Sequence, residues 1–178
     1  MKFIFYKIEL RDFSDSHKNS ILHHNKIQKI LKNNEDNSNI ILYLDRSKNK
    51  QLNKLEAGVF YTINFAKNQS QSFSWNLGEE VEVFNAELYA IEKAFKIVWE
   101  KKQLNTKKIW IFSDSQAAVK KLRNSNLKPG QYYIQLIRKW LEKFLNLNIQ
   151  VQLEWVPGHI NITGNKLADK AAKEGAKL

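Results

Sequence analysis

Cysteine is missing altogether from the 178 residues, which excludes disulfides and thiolate zinc sites while identifying no compartment. Long apolar runs are missing as well. None approaches the roughly 20 residues that a membrane-spanning helix needs. The apolar opening Phe3-Ile4-Phe5-Tyr6 is bracketed by Lys2 and Lys7, with Glu9 close behind, so it lacks the extended apolar region of a signal peptide. The expectation is a soluble, intracellular protein, nuclear or cytoplasmic, with no membrane partner. Acidic residues are scarce: 18 Asp and Glu stand against 29 Lys and Arg, a formal net charge of +11 and a pI near 9.7. That sign suits a polyanionic partner, because Lys and Arg that neutralise phosphates release counterions. In so basic a chain, carboxylates set at the ends of apolar runs read as positioned.

A hydrophobic fraction of 43% is enough for one full core. Residues 1–39 differ in character from the rest. Ile21, Ile27, Ile30 and Leu31 would line one face of a short helix, and the tract Lys32-Asn33-Asn34-Glu35-Asp36-Asn37-Ser38-Asn39 reads as a linker. The expected division is an N-terminal extension or linker over 1–39 and one domain over 40–178, with no internal repeat.

From Ile40 the pattern sharpens. Ile40 to Leu44 is a buried, central strand that stops at Asp45. Leu55 to Phe65 and Gln69 to Leu77 form a hairpin about Ala66-Lys67-Asn68. Over Ala86 to Trp99, apolar residues at three- and four-residue spacing define a helix, with Glu87 one turn before Ile91 on its apolar face. Ile109 to Phe112 is a strand leading to Asp114, and a helix carries Ala117, Ala118 and Leu122. After a break at Pro129-Gly130, Tyr133 to Leu145 forms an amphipathic helix. Ile149 to Trp155 alternates as the fifth strand, and a last helix opens near Gly164. This order predicts an α/β fold: a five-stranded mixed sheet flanked by helices, antiparallel at the hairpin and parallel where helices intervene. Ligands of such sheets gather beyond the carboxyl ends of the parallel strands, where Asp45 and Asp114 are expected.

Four segments then resemble a known family. Asp45 follows Ile-Ile-Leu-Tyr-Leu. Asn85-Ala86-Glu87-Leu88-Tyr89-Ala90 and Ser113-Asp114-Ser115-Gln116-Ala117-Ala118 each centre on an acid. Trp155-Val156-Pro157-Gly158-His159 runs on through Gly164-Asn165-Lys166-Leu167-Ala168-Asp169. In this order they resemble type 1 ribonuclease H over roughly Ile40 to the C-terminus, and most closely the ribonuclease H domain of non-LTR, LINE-type retrotransposon reverse transcriptases.

The resemblance implies a ribonuclease H-like fold and hydrolysis of the RNA strand of RNA–DNA hybrids by an endonuclease with two magnesium or manganese ions per site. Asp45, Glu87, Asp114 and Asp169 would be the metal ligands, with Asp45 bridging, and His159 would shuttle a proton or assist product release. Arg46, Ser47, Ser115, Gln116 and Asn165 would contact the hybrid, where the RNA strand is recognised by its 2′-hydroxyls. A reverse transcriptase domain of the same polyprotein is the implied protein partner. Two positions depart from the family pattern: Arg46 stands where glycine is usual after the first acid, and Lys166 where glutamate is usual. Taken singly, an Asp after a strand is commonly a cap or turn residue, and Glu87 a favourable partner for a helix dipole. Their coincidence favours a metal site. The alternative from another functional class is a non-catalytic, domesticated module of the same fold that holds nucleic acid or protein, for which Arg46 is the main support. An integrase or exonuclease of the same superfamily fits the closing motif less well.

Overall fold

The computed structural model describes residues 17–33, 38–49, 54–78, 83–123, 131–158 and 162–175. Its elements run α1 (His17–Lys32), β1 (Asn39–Asn49), β2 (Lys54–Ile63), a 3-10 turn (Lys67–Gln69), β3 (Ser70–Gly78), α2 (Val83–Lys101), β4 (Lys108–Ser113), α3 (Gln116–Arg123), α4 (Gln131–Asn146), β5 (Gln150–Trp155) and α5 (Thr163–Gly175). The five strands form one sheet in the order β3-β2-β1-β4-β5. β1 is central, antiparallel to β2 and parallel to β4, while β4 and β5 are parallel. This is the mixed sheet that the element order predicts, reached because helices carry the chain between parallel strands and a short turn joins antiparallel ones.

Alternation along the strands sorts the core into two layers. Leu42, Leu44, Val59, Tyr61, Ile109, Ile111 and Leu153 face α2 and α4, where Leu88, Ile91, Phe95, Ile137 and Phe144 close the larger core. On the opposite face Ile41, Tyr43 and Phe112 meet Ile27 of α1, Val156, Ile162 and Ala168 of α5. That second layer rests on close backbone approach. A Cβ on Gly58 would lie 2.2 Å from the Ala168 carbonyl oxygen and 2.4 Å from the Ala172 nitrogen, and one on Gly164 would lie 2.2 Å from the Tyr43 ring. The bare backbone of β2 and the small residues of α5 therefore bring helix and sheet into direct contact.

The structure corrects two expectations. β1 does not stop at Asp45: it continues to Asn49 along β2, because the hairpin supplies partners from Gly58 to Lys54. Its pairing with β4 does stop, at Leu44 and Ser113, so Asp45 lies at a fork where β1 stays with β2 and leaves β4. The segment before Ile40 includes a 16-residue helix rather than a short one. Ile27 is buried, whereas Ile30 is 60% exposed. The helix docks through polar groups as well: Gln28 donates to the Tyr43 oxygen at 3.3 Å, His24 Nε2 is 2.6 Å from that hydroxyl, and His23 Nε2 is 3.0 Å from Glu154. The break at Pro129-Gly130 lies outside the described residues, as do positions 34–37 of the polar tract.

Candidate active site

Each expected acid arrives on a different element. Asp45 is held at the fork of β1, and Asp114 follows the end of β4. Glu87 lies in the second turn of α2 and Asp169 in the second turn of α5. The Trp155 indole N–H fixes the Asp114 turn by donating to the Asp114 carbonyl at 3.0 Å, and Gly158 leaves room for the side chain, since a Cβ there would fall 2.8 Å from Asp114 Oδ2. Ser115 is buried and serves as the N-cap of α3, its Oγ accepting the Ala118 N–H at 3.2 Å. The helix after β4 thereby starts directly beyond the acid.

Electrostatics tie the four acids together. Burial pushes the Asp45 carboxyl up to about 7, and the charges of Asp114 and Asp169 add to that against the Arg46 N–H donated to its Oδ1 at 2.7 Å. Burial also raises Glu87; the Arg46 guanidinium opposes this and Asp114 reinforces it. Asp114 is thus the neighbour shared by Asp45 and Glu87. Two acids carry a cationic side chain of the protein itself: Arg46 Nε donates to Glu87 Oε1, and Lys173 Nζ donates to Asp169 Oδ2 at 2.6 Å. Among the described residues, no three His, Asp or Glu side chains form a ready-made metal-ligating group.

The donor set still fits a hard divalent cation. It consists of carboxylate oxygens, one of them strongly disfavoured as an anion by burial and like charge, and it already attracts an ammonium and a guanidinium. Asp45, Glu87, Asp114 and Asp169 are the residues able to hold such an ion.

The other expected contacts spread around this fork. Arg46 and Ser47 continue along β1, half-buried. Gln116 opens α3, half-buried, and Asn165 is buried in the first turn of α5, its Oδ1 without a hydrogen-bond partner. Lys166 is exposed, and His159 lies outside the described residues. Sequence reasoning missed the roles of Lys173, Gly158 and the Trp155 indole. The four-residue spacing of Asp169 and Lys173 on a helix was an available signal; nothing local announced the other two.

An α/β sheet in the order β3-β2-β1-β4-β5, with acids gathered where β1 and β4 part, has the architecture of the ribonuclease H-like class. RNase H1 from the halophilic archaeon Halobacterium salinarum superposes with a TM-score of 0.58 at 16% identity, over 78% of this chain and 98% of that one. The N-terminal RNase H domain of a Mycobacterium tuberculosis protein gives 0.56 at 14% identity, over 79% and 97%. The RNase H family model matches residues 37–177, and the chain belongs to that family. Ribonuclease H of Saccharomyces cerevisiae is 30% identical over 112 residues, a match that takes in 51% of this chain and 32% of the yeast protein. The chain therefore spans about a third of that relative's length. Among the described residues no helix is long and apolar enough to cross a membrane.

Proposed function

We propose that this chain hydrolyses the RNA strand of RNA–DNA hybrids as a type 1 ribonuclease H, cutting internally and leaving a 5′-phosphate. The observation that carries the reading is the fork of β1 and β4, where Asp114 bears electrostatically on both Asp45 and Glu87 in a chain of the RNase H family. Two magnesium or manganese ions held by Asp45, Glu87, Asp114 and Asp169 would supply a water of lowered pKa and charge stabilisation for the departing ribose oxygen.

The chain's own residues do the positioning. Asp45, half-buried and backed by its own strand, would hold an ion at the fork. Trp155 holds the Asp114 turn in place, and the bare Gly158 leaves room for its carboxylate. Arg46, Ser47, Gln116 and Asn165 flank the acids and bind the hybrid, Ser115 contributes there while capping α3, and His159 moves a proton or assists release. The motifs at 85–90, 113–118 and 155–169 support an origin in a LINE-type retrotransposon polyprotein, with a reverse transcriptase domain as partner.

Magnesium-dependent cleavage of a labelled hybrid, run beside double-stranded RNA and double-stranded DNA, tests this. Cutting confined to the RNA of the hybrid is the expected result. Tight hybrid binding with no cutting in either metal would replace the enzyme by a non-catalytic binding module, the reading that the Arg46–Glu87 pair favours.

A further inference from the structure

We propose that Arg46 is an internal counter-ion of Glu87 that competes with the divalent cation, so that metal on the Glu87 side of the fork is held more weakly than on the Asp45–Asp114–Asp169 side. This rests on the metal-dependent reading of the site. Two observations carry it. Arg46 follows Asp45 on β1, and successive strand residues project to opposite faces; Leu44 belongs to the core beneath α2, so Arg46, two residues on, is directed to the same side. There its Nε donates to Glu87 Oε1, with the two side chains only 36% and 12% exposed.

The pair differs in kind from the other resident cation. Lys173 on Asp169 is a helical i,i+4 contact with side-chain exposures of 63% and 32%, open to screening and easily yielded. Arg46 is permanently charged, planar, and engages a largely buried carboxylate through a directed N–H. A divalent ion drawing on Glu87 must either dislodge that N–H or sit beside a like charge. Once dislodged, the guanidinium is released at the partly exposed rim of the fork, where its charge would be open to a phosphate. The departure from glycine after the first acid thus acts on metal occupancy first and on substrate second.

Calorimetric titration of Mn2+ into the full chain, without nucleic acid, tests the proposal, with Arg46→Gly, Arg46→Gln and Lys173→Ala titrated in parallel. Removing one positive neighbour at a few ångström in a partly screened site predicts roughly tenfold tighter Mn2+ binding for both Arg46 variants, while Lys173→Ala changes affinity by about threefold or less. In chelator the Arg46 variants should melt below the parent, because Glu87 is left half-buried without its partner. Equal or weaker Mn2+ affinity in folded Arg46→Gln overturns the proposal alone. Failure of parent and variants alike to bind Mn2+ overturns it together with the metal-dependent reading.

Discussion

An acid whose carboxyl stands near pH 7 makes the metal-free protein sensitive to alkali. Asp45 ordinarily titrates at 3.8 and is raised to about 7 by burial and by Asp114 and Asp169. A raised folded pKa means that this contribution to stability is complete below about pH 4 and disappears as pH rises through 7. In chelator the parent should lose several degrees of melting temperature between pH 5 and pH 8, at about 2–4 °C per kcal/mol for a domain of this size. Asp45→Asn should flatten that loss while reducing hybrid cleavage by orders of magnitude; an unchanged pH profile in the variant would remove Asp45 from the cluster. Gly158→Ala makes a second case. Its new Cβ would press on a carboxylate oxygen of Asp114 at 2.8 Å, a group able to rotate away. The fold should survive with its melting temperature nearly unchanged, while Mn2+ affinity falls severalfold by calorimetry. The placement of the acids was legible in the sequence because Asp45 and Asp114 each follow an apolar strand run and Glu87 and Asp169 each sit in a helical motif. The Arg46–Glu87 pair was not, because its partners are 41 positions apart and only the fork brings them together.

At the scale of elements, α5 and α1 share the second face of the sheet by different means. α5 depends on close approach: Gly58 pairs with Asp45 across β1 and β2, so the point where the helix touches the sheet is also the point that sets Asp169 beside Asp45. Gly58→Ala should cost about 3 kcal/mol or more by denaturant unfolding and weaken metal binding at the same time. Near-parental values for both would show that the helix can shift without disturbing the site. α1 depends on a polar latch. Burial lowers His24 to about 4, opposed by Asn25 and helped by His23, and burial keeps the Tyr43 phenol protonated well above its ordinary range, so the hydrogen bond between them joins two neutral groups. A lowered histidine pKa gives stability that is present above about 6.5 and is lost as pH falls towards 4. Comparing parent with His24→Leu between pH 7.5 and 4.5 should show the parent losing on the order of 2–3 kcal/mol more than the variant. Apolar periodicity announced every strand and the long helices. It could not announce the continuation of β1 to Asn49, which the hairpin partner decides over polar residues, or the full packing of α1, whose docking groups besides Ile27 are two histidines and a glutamine.

For the molecule as a whole, excess positive charge should govern how nucleic acid is held. With a net charge of +11, hybrid affinity should fall with log salt at a slope of roughly −3 to −6, as expected for a handful of phosphate contacts worth about 0.9 each; a slope near zero would argue against phosphate-led binding. The order of the chain adds a consequence in time. Asp45 is made first of the four acids, and Asp169 follows about 120 residues later, on the same helix that seals β1 and β2 through Gly58 and Gly164. During synthesis on the ribosome the first three acids emerge with no α5 to complete them. If the four acids act together as proposed, a nascent chain lacks one member of the site until α5 closes on the sheet.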